Sequence, residues 1–234
     1  MAERLAPGIW LLDLGWPAPL GTNAYLVADG DGELTMVDAG MPINATSVRS
    51  EIQDTGFAVD EIDRVLITHY DLDHVGGLAR LVPALDAPVY IGETDRQLYD
   101  GGYDPPWLHH KGLFHRGLRA LHRLPADLEI RGVADGDRIG DFLAFHTPGH
   151  NPGHTVYINE AQSVGLLGDL VWEEDGEFTT PIWFDSYDLS TIRRSIRRLV
   201  AESPPFEVAC VGHGTPLRAN GLTALKALAN DFYD

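Results

Sequence analysis

The chain is predicted to fold as an α/β sandwich, two sheets packed together with helices outside. Three observations predict it. β-rich runs open the chain and strand–helix units follow them. The same order is met twice, in two successive halves. Some apolar runs, such as Arg64-Val65-Leu66-Ile67-Thr68, are continuous and short, the pattern of strands buried on both faces.

Residues 9–14, 23–28 and 34–38 are rich in β-forming side chains. Between the last two, Asp29-Gly30-Asp31-Gly32 signals a hairpin turn. Residues 45–56 read as a helix, with Val48 and Ile52 one turn apart and Gly56 as the stop. The strand at 64–68 leads to a polar loop, then a helix over 75–81, a strand over 88–91 and a short helix over 93–98. Residues 99–124 break the rhythm with Gly101-Gly102, Pro105-Pro106, Trp107 and four histidines. They read as an inserted lid-like segment ending in a helix over 112–124. Strands are expected over 132–139, 142–146, 154–158, 163–167 and 206–211. Helices are expected over 189–200, with Ile192, Ile196 and Leu199 on one face, and over 219–231. No linker or short repeat divides residues 1–234, so one domain is expected.

Of 234 residues, 44% are hydrophobic and 22% charged, ordinary for a globular chain. Lys+Arg is 17 against Asp+Glu 35, a formal net charge of −18. Such a surface repels phosphate backbones and anionic lipids, so neither nucleic acid nor a membrane is an expected partner. Lys111 and Lys226 are the only lysines. Acid-rich, lysine-poor surfaces suit high salt, where counter-ions screen self-repulsion, so a halophilic habit is an expectation. The single cysteine, Cys210, lies in an apolar run and is expected in the core. With no disulfide, no signal-peptide segment at the start and no membrane-length apolar run, the expected location is cytoplasmic.

The chemistry concentrates in His69-Tyr70-Asp71-Leu72-Asp73-His74, which follows the buried strand and precedes Gly76-Gly77. Four metal-ligand side chains fall within six residues. Alone, such a cluster has a plain account as a solvated loop. Three further positions argue against that account. His150 in Thr147-Pro148-Gly149-His150-Asn151-Pro152-Gly153-His154, Asp169 after Leu166-Leu167-Gly168, and His213 in Val211-Gly212-His213-Gly214 each place a ligand-type side chain past an apolar strand, beside glycine.

This set resembles the metallo-β-lactamase superfamily, whose signature is His-x-His-x-Asp-His followed by a His, a bridging Asp and a last His. The likeness runs from Val37-Asp38-Ala39-Gly40 to His213, and the phrase from Thr147 to His154 is most similar to the glyoxalase II, lactonase and thioesterase-like branches. The resemblance implies a four-layer αβ/βα sandwich with a two-metal centre at one edge. His69, Asp71 and His150 would hold one divalent ion, Asp73, His74 and His213 the other, and Asp169 would bridge them. Asp38 would accept hydrogen bonds that hold the metal loop, and His154 would stand behind the ligands.

Asp71 departs from the signature, which has His there. A carboxylate makes the ligand set more negative, lowers Lewis acidity and adds a hard oxygen donor. Zinc is the expected metal, and Asp71 shifts preference toward Fe or Mn.

The function expected from the resemblance is hydrolysis of an ester, thioester or lactone of a small molecule by a hydroxide shared between the metals. Asp73 would steer its proton, and Tyr187 is a candidate donor to the oxyanion, with packing as its plainer role. No serine nucleophile elbow competes. Alternatives are a di-iron oxidoreductase of the flavodiiron type and a phosphodiesterase or nuclease of the same fold. A non-catalytic metal-binding module is a further alternative. His109, His110, His115 and His122 read as surface or packing histidines, and His146 as structural. Trp107, Leu108, Leu113 and Phe114 could line an apolar pocket or pack the lid. A homodimer through the lid is the expected assembly if there is one.

Overall fold

In a computed structural model the described residues are 1–12, 14, 21–30, 32–122, 124–125 and 128–232, with the backbone alone at 44–47. The first half forms a seven-stranded sheet from β1 (Glu3–Ala6), β2 (Ile9–Leu12), β3 (Ala24–Ala28), β4 (Leu34–Val37), β5 (Arg64–Ile67), β6 (Val89–Gly92) and β7 (Ile130–Val133), in that spatial order. Pairing is antiparallel from β1 to β4 and parallel from β4 to β7. Each parallel crossover needs a connection, and α1 (Ala45–Asp54), the short α2 (Leu72–Val75) and α3 (Leu78–Leu81), and α4 (Glu93–Asp100) with α5 (His110–Leu121) supply them.

A five-stranded sheet in the second half has the order β14-β11-β10-β9-β8, with β8 (Arg138–Ile139), β9 (Phe142–His146), β10 (Thr155–Asn159), β11 (Val164–Gly168) and β14 (Val208–Val211). A separate ribbon joins β12 (Trp172–Glu174) and β13 (Glu177–Thr179). Helices α6 (Leu189–Glu202) and α7 (Gly221–Asp231) cover this half.

Period-two alternation explains the layers. In β5, Val65 and Ile67 face the helix-covered core with Met36, Val48 and Ile52, while Leu66 faces the other sheet. In β10, Val156 and Ile158 meet Ile192 and Ile196 of α6, while Tyr157 faces the first sheet. Three apolar layers result, one of them between the sheets, where Cys210 lies buried. The order is helices, sheet, sheet, helices, the four-layer αβ/βα sandwich. No helix among the described residues is long and apolar enough to cross a membrane.

Three of the differences from the sequence expectation bear on the site and its surroundings. The strand expected over 132–139 is two strands, β7 and β8, in different sheets. Gly136 at φ 83 and the Asp137 carboxylate on the Ala134 N–H turn the chain from one sheet to the other. The helix expected from 75 begins at Leu72, so Asp73 and His74 stand in a helical turn and not on a loop. Gly76 and Gly77 carry it onward because a Cβ there would collide with Pro42 and Ala39. The lid helix is α5, starting two residues before the expected 112 and ending at Leu121; Arg123 lies outside the described residues, as do Asp13 and Asp31 of the first strand and hairpin turn.

Candidate metal centre

Strand ends on one edge of the sandwich deliver the ligand-type side chains. His69 follows β5, Asp71 caps α2 in an extended conformation, and Asp73 and His74 stand in its first turn. His150 comes from the β9–β10 connection, Asp169 follows β11, and His213 follows β14. The crevice beyond strand carboxyl ends is where layered α/β folds bind ligands. All seven expected ligands converge there, as four overlapping groups: His69, Asp71 and His150; His69, His74 and Asp169; Asp73, His74 and His213; His150, Asp169 and Asp185.

Around Asp73 the donors form a cage. His74 Nε2 lies 3.7 Å from Asp73 Oδ2 and 3.5 Å from Asp169 Oδ1. His213 Nε2 lies 3.4 Å from Asp73 Oδ2 and 3.2 Å from Asp169 Oδ2. Ligand bonds of about 2.0–2.2 Å in a tetrahedron put the donor atoms about 3.3–3.6 Å apart, which these distances match. His74 Nε2 and Asp169 Oδ1 are buried with no hydrogen-bond partner among the described residues, so the cage also fits a cation chemically. Each histidine is fixed from behind, as metal-binding imidazoles are. His74 Nδ1 donates to Asp38 Oδ2 at 2.8 Å, and His213 Nδ1 donates to the Gly21 carbonyl at 2.9 Å. Asp38 is held in turn by the Thr68 N–H and hydroxyl, both at 2.8 Å. Thr22 donates to Asp73 Oδ2, and Trp172 Nε1 to Asp169 Oδ2. Gly212 leaves room for this, since a Cβ there would run into Asp169 Oδ1.

Charge tells the same story. Burial lowers the His74 imidazole, but Asp38, Asp73 and Asp169 outweigh it and hold it up at about 9. Burial likewise works against His213, and Asp169 and Asp73 hold it at about 11. This carboxylate cage calls for positive charge, as protons on two histidines or as an ion in their place.

Seven His and Asp side chains, gathered at the strand ends of a four-layer sandwich in the order of the signature, point to one family. The Metallo-beta-lactamase superfamily profile matches residues 17–213. The chain belongs to the metallo-β-lactamase superfamily. YqgX, a probable metallo-hydrolase of Bacillus subtilis (strain 168), is 28% identical over 200 residues, 84% of this chain and 86% of that one. The structure of TTHA1623 in a di-iron-bound form aligns with TM-score 0.63 and 31% identity, over 89% of this chain and 94% of that one. The metallo-beta-lactamase family protein TTHA1429 from Thermus thermophilus aligns with TM-score 0.71 over 98% of this chain and 81% of that one, at 22% identity, a likeness of fold.

The other half of the centre differs from the superfamily pattern by more than Asp71. His150 Nε2 is 3.2 Å from Asp71 Oδ2 and 3.5 Å from Asp169 Oδ2, and His69 Nε2 is 3.4 Å from Asp71 Oδ2. Among them sits the Lys111 ammonium, from the first turn of α5. Nζ is 2.8 Å from Asp71 Oδ2, 2.8 Å from His150 Nε2 and 2.6 Å from the Asp185 carbonyl. Burial first, and then the Lys111 charge, push His150 down to about 3. Burial opposes ionisation of Asp71, but Lys111, His69 and His115 hold its carboxyl well below the usual range.

His115, one turn after Lys111, is buried and donates from Nε2 to Asp71 Oδ1 at 2.7 Å. Its Nδ1 accepts from the Tyr187 hydroxyl at 2.8 Å, so Tyr187 reaches the centre through His115 and not through its own oxygen. His109 stacks on Tyr187 at 4.7 Å, and His110 bonds the Trp183 carbonyl. Asn151 donates to Asp71 Oδ1, and Asp95 ties the Tyr70 and Gly153 N–H groups together. His154, fully buried, accepts the Asp169 N–H on Nε2.

Sequence reasoning passed over Lys111, Asp95 and Asn151 and read His115 as a surface or packing residue. One signal existed for the lid pair: Lys111, His115 and Leu118 are spaced i, i+4, i+7, the inward stripe of a helix, and two of the three are polar.

Proposed function

We propose that the protein is a metal-dependent hydrolase that cleaves an ester, thioester or lactone of a small molecule with an apolar portion. The observation that carries this reading is the Asp73–His74–Asp169–His213 cage opening on a cavity of about 400 Å³ walled by Met41, Leu72, Phe114, Trp172, Ile182 and Phe184. A divalent ion at such a centre supplies Lewis acidity and makes water a nucleophile near neutral pH. The chain supplies the rest. Asp73, held at Oδ2 by the Thr22 hydroxyl, borders the cavity beside the cage. Trp172, Phe114 and Phe184 offer an apolar wall that seats the apolar part of the substrate. Asp185 also lines this cavity, and burial raises its carboxyl to about 6 against the pull of Lys111. The net charge of −18 argues against a nuclease, because a nucleic-acid backbone would be repelled. The carboxylate-rich ligand set and the di-iron-bound relative support iron or manganese beside zinc as the working metal.

Turnover of lactones, thioesters and phosphodiesters, measured with protein loaded in turn with zinc, manganese and iron, tests the proposal. Acyl substrates are expected to turn over, to stop with chelator and to resume when metal is returned. Cleavage of phosphodiesters alone, or no turnover by fully loaded protein, rejects it.

A further inference from the structure

We infer that the centre holds a single divalent metal ion, and that the Lys111 ammonium is the built-in cation of the other half. The inference rests on the reading that an ion works at Asp73, His74, Asp169 and His213.

Lone pairs make the case. An ammonium has three donors and no acceptor, so where Lys111 meets His150, Nε2 must accept. A neutral imidazole has one such lone pair, and a metal would need it. Asp71 is engaged at both oxygens. Oδ1 accepts from His115 at 2.7 Å and Asn151 at 2.9 Å, and Oδ2 faces Lys111 at 2.8 Å. Two of the three ligands expected for this half are therefore already bound, and a dication there would lie against a fixed ammonium.

The position of Lys111 is built, not incidental. It is 3% exposed, and its Nζ has an acceptor for each of its three protons: Asp71 Oδ2, His150 Nε2 and the Asp185 carbonyl. With none left for a substrate, Lys111 is a positioning residue. The departure at Asp71 then has a partner. The superfamily signature has a neutral His beside a dication, and this chain has a carboxylate beside an ammonium. Asp71, Asp73 and Asp169 are matched in formal charge by one ammonium and one dication.

Metal counting after equilibration with excess Zn²⁺ or Mn²⁺ and removal of unbound ion tests this without an activity assay. One equivalent per chain is expected, and the Mn²⁺ form should give the hyperfine spectrum of an isolated ion. Two equivalents with a spin-coupled spectrum overturn the inference and leave the hydrolase reading standing. No uptake overturns both. The double variant Asp71→His/Lys111→Met removes the pair without stranding a buried charge, and its metal content should double. Should the folded double variant stay at one equivalent, Lys111 is not what excludes the second ion and the inference fails; the wild-type count decides by itself if the variant does not fold.

Discussion

Asp169 divides the centre into two clusters of closely similar chemistry. On one side stand Asp73, His74 and His213, whose inward nitrogens face carboxylates at 3.2–3.7 Å and whose outer nitrogens are anchored to Asp38 and Gly21. On the other stand His69, Asp71 and His150, spaced equally well but closed by a lysine from α5. Ligand spacing alone does not separate the two. What separates them is the Lys111 ammonium, a cation of the same polypeptide that reaches one cluster and not the other. A ligand motif therefore describes a metal site only when every residue reaching into it has been counted, and here one of those residues arrives from more than thirty positions away in sequence.

The difference between the clusters can be broken by removing one ligand from each. His213→Ala should empty the cage, losing the ion and several kcal/mol of Lewis-acid stabilisation, about a thousandfold or more in turnover. His150→Ala should keep its equivalent of metal and lose less than about 100-fold, the scale of changes around a metal site rather than in it. Metal content and steady-state rates of the two variants check this, and equal losses would erase the distinction.

Next in size is a pH effect on the metal-free protein. His74 is held at about 9 against its ordinary 6.5, and His213 at about 11. A folded-state value above the unfolded one adds stability that is fully present below about 6.5 and disappears as pH rises through the folded value. Thermal stability of the metal-free chain should therefore fall as pH rises from about 7 through 9 and beyond. Metal-loaded protein should be flat over the same range, because the ion takes the place of those protons. Denaturation curves with and without chelator would show it. A fall of equal slope in both forms would place the titrating groups elsewhere.

The smallest effect belongs to the lid. Tyr187→Phe removes the hydroxyl that orients His115, worth about 1 kcal/mol, or about 2–4 °C in a domain of this size. It should leave metal content unchanged, since the reach of Tyr187 to the centre passes through His115 and Asp71. Loss of the ion in this variant would join the lid to the cage more tightly than the geometry does.

The layered fold was legible because alternation along short strands reports which faces are buried, as in Val65-Leu66-Ile67 and Val156-Tyr157-Ile158. The seven ligand-type side chains were legible because four crowd the six residues after one apolar strand and three more each follow an apolar strand beside glycine. Where the chain changed sheets at 134–137 the signal was weaker, since two short strands with a turn between them read as one run. The ribbon at β12 and β13 was missed although Asp175-Gly176, both at positive φ, form the kind of turn that marks a hairpin.

By itself, then, the sequence determined the sandwich, the strand ends and the identity of the donors, all of which depend on local periodicity and on residue type. Only the tertiary structure decided which donors have lone pairs to spare. Lys111, Asn151 and Asp95 carry no pattern of their own, and their meaning appears once α5 and the β9–β10 connection bring them against Asp71 and its neighbours. The physical reason is that a buried charge is set by everything packed around it, and packing joins residues that the chain keeps far apart.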